Sequence, residues 1–257
     1  MKFITHLIAA AAALAAVASA NAQIVKVGVG AFTAQSGLIT FSEKPLGTSN
    51  PIYNPADYGG GAAAPVVSFG GFFAGQLLGT AGTCPAGAAV SGCVVGLPTG
   101  PLALAPTSPA TRIVGDGANP TSPVLSGSPI FNGPIGILFS VDQAGVGLDG
   151  GFFDAIGGTA ITAFDRSGNS LGRVTNERTG IEFLGLVTAN GSATIAGLLF
   201  SLVGAEPAGF AIDNVRFGAA GQVIVPPPPG GVPEPTTLAL VGVALVGIWS
   251  ASRRRQA

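Results

Sequence analysis

Along most of the chain, apolar residues come in short runs, and Gly, Asn, Asp or Pro ends each run before a helical period can establish itself. The pattern predicts strands at residues 25–29, 37–42, 66–73, 135–141, 160–165, 171–174, 181–187, 193–202 and 210–217. No amphipathic stretch of helical length occurs between residues 23 and 225. The fold class expected is therefore all-β, a β-sandwich or jelly roll. Two reversals are legible. Asp165-Arg166-Ser167-Gly168-Asn169 predicts a hairpin between residues 161–164 and 171–174. Asn190-Gly191 predicts another between 181–187 and 194–202. Residues 79–134 break the rhythm. Gly, Pro, Ser and Thr dominate there, which predicts a long irregular insertion around one or two short strands.

The last predicted strand carries a phase error. Phe210 and Ile212 share one parity, and Val215 and Phe217 share the other. A regular strand would send the two pairs to opposite faces. A bulge at Asp213-Asn214 restores the phase and keeps all four in one core. Gly-Gly-Phe-Phe occurs at residues 70–73 and again at 150–153, but no longer similarity surrounds the copies, so they read as chance recurrence.

The two ends follow a different pattern. Residues 1–22 carry Lys2, an apolar run over 7–17 and the small-x-small sites Ala18-Ser19-Ala20 and Ala20-Asn21-Ala22. This is a secretory signal helix, for export by the Sec pathway, and cleavage after Ala22 leaves Gln23 first. His6, the only histidine, goes with it. The exported part then has no histidine for a Ser-His-Asp triad or a histidine-ligated metal. At the other end, residues 226–231 form a Pro/Gly linker expected to be extended. Val232, Pro233, Glu234 and Pro235 come next, then an apolar run over 238–249, then Arg253, Arg254 and Arg255. A helix over that run spans roughly 18 Å and is lengthened by small flanking residues toward a membrane span. The arginines hold its far end on the cytoplasmic side, so the domain in front lies outside the inner membrane.

Pro-Glu-Pro, apolar helix and arginine cluster, in that order over residues 232–257, resemble the PEP-CTERM sorting signal. The resemblance implies a partner, exosortase, a membrane-embedded transpeptidase-like enzyme that processes the chain near Pro233-Glu234-Pro235. It also implies a Gram-negative bacterium that makes exopolysaccharide, and a final place at the cell surface or in the matrix. Residues 38–41, 163–168 and 210–217 are similar to the β-sandwich domains of such proteins, which share their outline with lectin-like jelly rolls. A fold shared with lectins does not by itself carry sugar binding.

Composition narrows the function. Charged residues are only 9% of the chain, against about 25% in ordinary soluble domains. Seven Lys/Arg and eleven Asp/Glu lie between residues 23 and 225, a net charge of −4. That balance gives no basic footprint for nucleic acid. Cys84 and Cys93 enclose eight residues and are expected to form a disulfide in the exported compartment. Asp142, Asp149, Asp154, Asp165, Glu177 and Glu182 are the material from which a hydrolase would draw two carboxylates, and Asp is equally at home in turns. No cofactor is required. Calcium is the ion that Asp165, Asn169, Asp213 and Asn214 would suit by residue type, although no EF-hand loop is present. Tyr53 and Tyr58, in a polar loop, are the aromatic candidates for a ligand surface. Asn190-Gly191-Ser192 matches a glycosylation sequon, of little weight in a bacterium. The reading is a structural or adhesive surface protein in contact with exopolysaccharide and without enzymatic activity. The alternatives are a calcium-supported carbohydrate-binding module and a secreted glycan hydrolase.

Overall fold

The computed structural model describes residues 24–117 and 123–227. In chain order the strands are β1 (Ile24–Val27), β2 (Gly37–Ile39), β3 (Ile52–Tyr53), β4 (Val67–Gly70) and β5 (Leu77–Leu78). They continue with β6 (Val94–Val95), β7 (Arg112–Val114), β8 (Val124–Ser126), β9 (Ile135–Gln143) and β10 (Gly145–Phe153). The last five are β11 (Thr159–Phe164), β12 (Ser170–Thr175), β13 (Gly180–Thr188), β14 (Ile195–Leu202) and β15 (Ala211–Gly218). One sheet runs β1-β13-β10-β15-β8-β7, with β2 also on β15. The other runs β12-β11-β14-β9-β4-β3, and β5 and β6 pair separately.

The two large sheets form a sandwich, and alternation along the strands builds its core. Val146, Leu148, Leu184, Leu186, Ile212 and Val215 face inward from the first sheet. Phe69, Ile137, Phe139, Ile161, Leu198 and Phe200 meet them from the second. Phe139 on β9 touches Phe217 on β15 with ring centroids 5.5 Å apart, and Phe153 on β10 meets Phe200 on β14 at 6.3 Å. Such pairs add about 0.5–1.5 kcal/mol each beyond the area they bury.

Every residue of β14 is buried, so both of its faces are covered. The outer cover combines the end of the predicted strand at 66–73 with part of the segment read as an insertion. Phe72, Phe73, Leu102 and Ala105 lie with Phe164, Ala196 and Leu199 in a second apolar cluster. Gly197 allows this close approach, because a Cβ there would sit 2.8 Å from both Leu102 and Phe73. Residues 79–134 also supply β6, β7 and β8, and the last two extend the first sheet. The Cys84–Cys93 disulfide is formed. It closes a loop held by hydrogen bonds from Gly79 N to Cys93 O (2.9 Å) and from Ala89 N to Glu206 O (2.8 Å).

Two features depart from the sequence expectations. β10 went unread, because Gly145, Gly147, Gly150, Gly151 and Asp149 resemble turn residues. They occupy a central strand because neighbours leave little room: a Cβ at Gly147 would lie 2.5 Å from the Phe183 ring. The Asn190-Gly191 reversal does not make a hairpin. It carries the chain from β13 in one sheet to β14 in the other, since a turn sequence specifies a reversal and not the partner across it. The reversal at 165–169 does join paired strands, β11 and β12.

The bulge is present. Gly147 faces Arg216 and Asp149 faces Asp213, so Asn214 and Val215 together oppose Leu148 alone. Asn214 takes φ 48°, and Phe210, Ile212, Val215 and Phe217 all lie in the shared core. The two Gly-Gly-Phe-Phe copies have different roles. Phe72 and Phe73 pack under the outer cover, whereas Phe153 joins the central core and Phe152 is exposed.

The described residues up to Val225 belong to one compact unit, and Pro226 begins another. The expected leader (1–22) and sorting tail (232–257) lie outside the described residues. Among the described residues no helix is long and apolar enough to cross a membrane.

Candidate functional site

A cleft of about 460 Å³ opens where the loop after β3 passes the ends of β2, β9 and β15. Its first wall begins with a single 3-10 turn, Pro55–Tyr58. Asn54 and Asp57 cap that turn reciprocally, with Asn54 N donating to Asp57 Oδ2 at 2.8 Å. This main-chain bond, and then Lys44 at 3.3 Å, hold the Asp57 carboxyl below its ordinary range. Gly59 ends the turn in the left-handed conformation, φ 73°. Gly60 follows because a Cβ there would strike the Tyr58 ring at 2.6 Å.

Tyr58 is half-buried. Its ring stands edge-on to Phe217 at 5.2 Å, and its hydroxyl donates to Pro65 O. Burial pushes its phenol up to about 12, so it stays neutral at any ordinary pH. The facing wall is Ala34 to Leu38 with Ala219 and Gln222. Ser36 Oγ donates to Gln222 O (2.8 Å), and Gln222 Oε1 accepts from Ala219 N (2.9 Å). The floor includes Gln143, whose Nε2 donates to Val141 O (2.6 Å). None of the described residues that line it is charged. Such a cleft can hold a neutral ligand with both hydroxyls and an apolar face.

The structure separates the two tyrosines. Tyr53 is not a surface residue: it is fully buried, its ring packed edge-on to Phe41 and Phe69. Lys44 Nζ lies 4.9 Å from its ring centroid. Its hydroxyl has no hydrogen-bond partner among the described residues. Only Tyr58 faces the cleft.

The four residues suggested for calcium do not form one site. Asp165 accepts from Ser167 N (2.9 Å), Asn169 N (2.8 Å) and Asn169 Nδ2 (2.8 Å), closing the β11–β12 turn in the second sheet. Asp213 and Asn214 lie in the first sheet, where Asn214 Nδ2 donates to Asp149 Oδ2 (2.9 Å). Among the described residues no group of three or more His, Cys, Asp or Glu is arranged to hold a metal.

Other carboxylates serve local structure. Asp142 pairs with Arg166, which also reaches Phe139 O at 2.8 Å. Glu177 and Glu182 share Lys26 at 3.0 and 3.4 Å. Glu182 Oε2 further accepts from Glu177 N (2.7 Å) and Arg178 N (2.9 Å). Asn190 Oδ1 accepts from Ser192 N (3.1 Å) and Ser192 Oγ, closing its own turn.

Glu206 drew no attention in the sequence, yet it is fully buried. Both of its oxygens accept from Asp154 N at 3.0 Å, and Oε2 accepts from Ala155 N at 3.2 Å. Burial pushes its carboxyl up. The two main-chain donors pull it partly back, and nearby Asp154 adds to the rise. Gln35, Ser36, Gln143 and Gln222 were missed for another reason: they come from three distant segments, and no local motif joins them.

Residues 231–255 match the PEP-CTERM protein-sorting motif. Val232, Pro233, Glu234, Pro235, Arg253, Arg254 and Arg255 all fall within that match. No curated protein and no solved structure shows significant similarity to the chain. The motif marks the chain as an exported substrate of exosortase.

Proposed function

We propose that the exported domain is a structural or adhesive component of the cell surface or extracellular matrix, held in contact with exopolysaccharide. It leaves the cytoplasm by the Sec pathway, is anchored in the inner membrane as a precursor, and is released from its tail by exosortase. It acts by binding rather than turnover. The observation that carries the reading is the sorting motif at 231–255, set behind a proline-rich spacer and a disulfide-bonded sandwich. The non-enzymatic part is supported by the roles of Asp142, Asp165, Glu177 and Glu182, each engaged in a turn or ion pair.

The test is intact mass of the protein from its native host, measured in inner-membrane, surface and medium fractions. The reading expects a C-terminus lost near Pro233, Glu234 and Pro235, and the processed form in the matrix. It also expects loss of matrix retention in a host that makes no exopolysaccharide. A chain confined to the inner membrane and still ending in Arg255-Gln256-Ala257 would refute it.

A further inference from the structure

We infer that the Tyr58 cleft binds uncharged sugar residues of a polysaccharide and rejects polyuronates. The inference rests on the surface role proposed above and assigns it a site and a ligand class.

The argument for sugar begins with the residue types. A neutral pyranose presents hydroxyls at its edge and C–H groups on its face, so its site needs neutral hydrogen-bonding groups beside an aromatic ring. Tyr58 supplies the ring, held in place by Phe217 and by its hydroxyl bond to Pro65 O. The amides of Gln143 and Gln222 are each half used inside the protein. Gln222, partly exposed, keeps its Nε2 without a hydrogen-bond partner among the described residues and offers a donor, whereas Gln143 is only 1% exposed and presents little to a ligand. Exposed Gln35 adds a further amide on the same wall. Gly59, Gly60 and Gly61 let a ligand come up to the main chain, and no atom lies within 4 Å of a Cβ built at Gly61. The volume of about 460 Å³ falls within the roughly 300–1,000 Å³ of small-ligand sites.

The argument against polyanions is electrostatic. A carboxylate or sulfate taken from water needs a cation or a cluster of aimed donors. Among the described residues no Lys or Arg lines the cleft. Lys44, which is not among the lining residues, is already committed to Asp57 and to the Tyr53 ring. The exported part carries a net charge of −4, which adds a weak general repulsion.

The experiment is affinity electrophoresis of the exported protein in gels containing dextran, galactomannan or xyloglucan, compared with alginate. Retardation is expected in at least one neutral gel and none in alginate. Gly61→Phe should reduce the retardation by about tenfold or more, because the new ring fills the cleft at a position free of steric conflict. Its melting temperature should match the wild type, so loss of binding cannot be assigned to unfolding. Tyr58→Ala should lose binding as well. Retardation by alginate, absence of retardation in every neutral gel, or neutral binding indifferent to Gly61→Phe would each overturn the assignment. The earlier reading fails separately, if the chain stays unprocessed in the inner membrane whatever it binds.

Discussion

Deleting one residue from the middle of a buried strand normally sends every later side chain to the wrong face. The bulge in β15 predicts that Asn214 is an exception. Asn214 and Val215 together oppose Leu148, so removing Asn214 leaves Asp213, Val215 and Arg216 opposite Asp149, Leu148 and Gly147 in unbroken register. Ile212, Val215 and Phe217 keep their inward faces. The deletion loses the hydrogen bonds from Asn214 Nδ2 to Asp149 (2.9 Å) and from Asn214 N to Asp213 (2.7 Å). It also removes a non-glycine residue at φ 48°, a strain of roughly 1 kcal/mol. With a partly exposed Asp149 open to water, the net cost is about 1–2 kcal/mol.

Deleting Arg216 makes the contrast. The bulge then persists, and Phe217, 2% exposed and packed on Tyr58 and Phe139, is turned out of the core. Expelling a buried phenylalanine costs about 3–5 kcal/mol. Urea denaturation of the two deletions beside wild type reads both values. At about 2–4 °C per kcal/mol for a domain of this size, thermal melting separates them as well. If the two deletions destabilise equally, the bulge is not what sets the register, and the reasoning fails.

Three further outcomes follow from the same structure. Replacing Cys84 and Cys93 by alanine, or reducing the wild type, should lower stability by about 2–3 kcal/mol from loop entropy, and an unchanged melt under reductant would contradict this. Glu206 has its carboxyl pKa raised by burial, so its contribution to stability is fully present below the ordinary value of 4.5 and is lost as pH rises through the raised one. Against Glu206→Gln, the wild type should therefore lose ground in melting temperature as pH climbs above 4.5, and parallel profiles would exclude the effect. Tyr53→Phe removes a buried hydroxyl without a partner and should leave stability unchanged or raise it by up to about 1 kcal/mol. A clear loss on denaturation would show that the hydroxyl has a stabilising role.

Much of the sandwich was readable, because a strand with one buried face leaves a period-2 trace. The nine predicted segments all overlap observed strands, and the odd spacing of Phe210, Ile212, Val215 and Phe217 is itself the trace of the bulge. β10 was hidden because its glycines are required by close neighbours, while the same residues usually mark turns. The role of residues 72–105 as an outer cover was hidden too, since scattered Phe72, Phe73, Leu102 and Ala105 acquire a common face only when laid on β14. Tyr53 and Tyr58, five residues apart in one polar loop, could not be told apart by type. Ile52–Tyr53 pairs with β4 and carries its ring inward, whereas Tyr58 ends a capped turn at the edge of a cleft.

The place of β15 bears on when the domain can fold. It is the last strand among the described residues, yet it lies inside the first sheet, with β10 on one side and β2 and β8 on the other. A chain that emerges from the membrane amino end first exposes β2 and β10 long before their shared neighbour arrives. The sandwich closes only after Ala211–Gly218 is outside, about twenty residues before the apolar run that begins at Leu238. Folding is thus a late, long-range event, slow in the manner of high contact order. On the export route proposed above, the polypeptide in transit stays loose enough to pass a narrow pore, and its tertiary structure forms only once Ala211–Gly218 has followed.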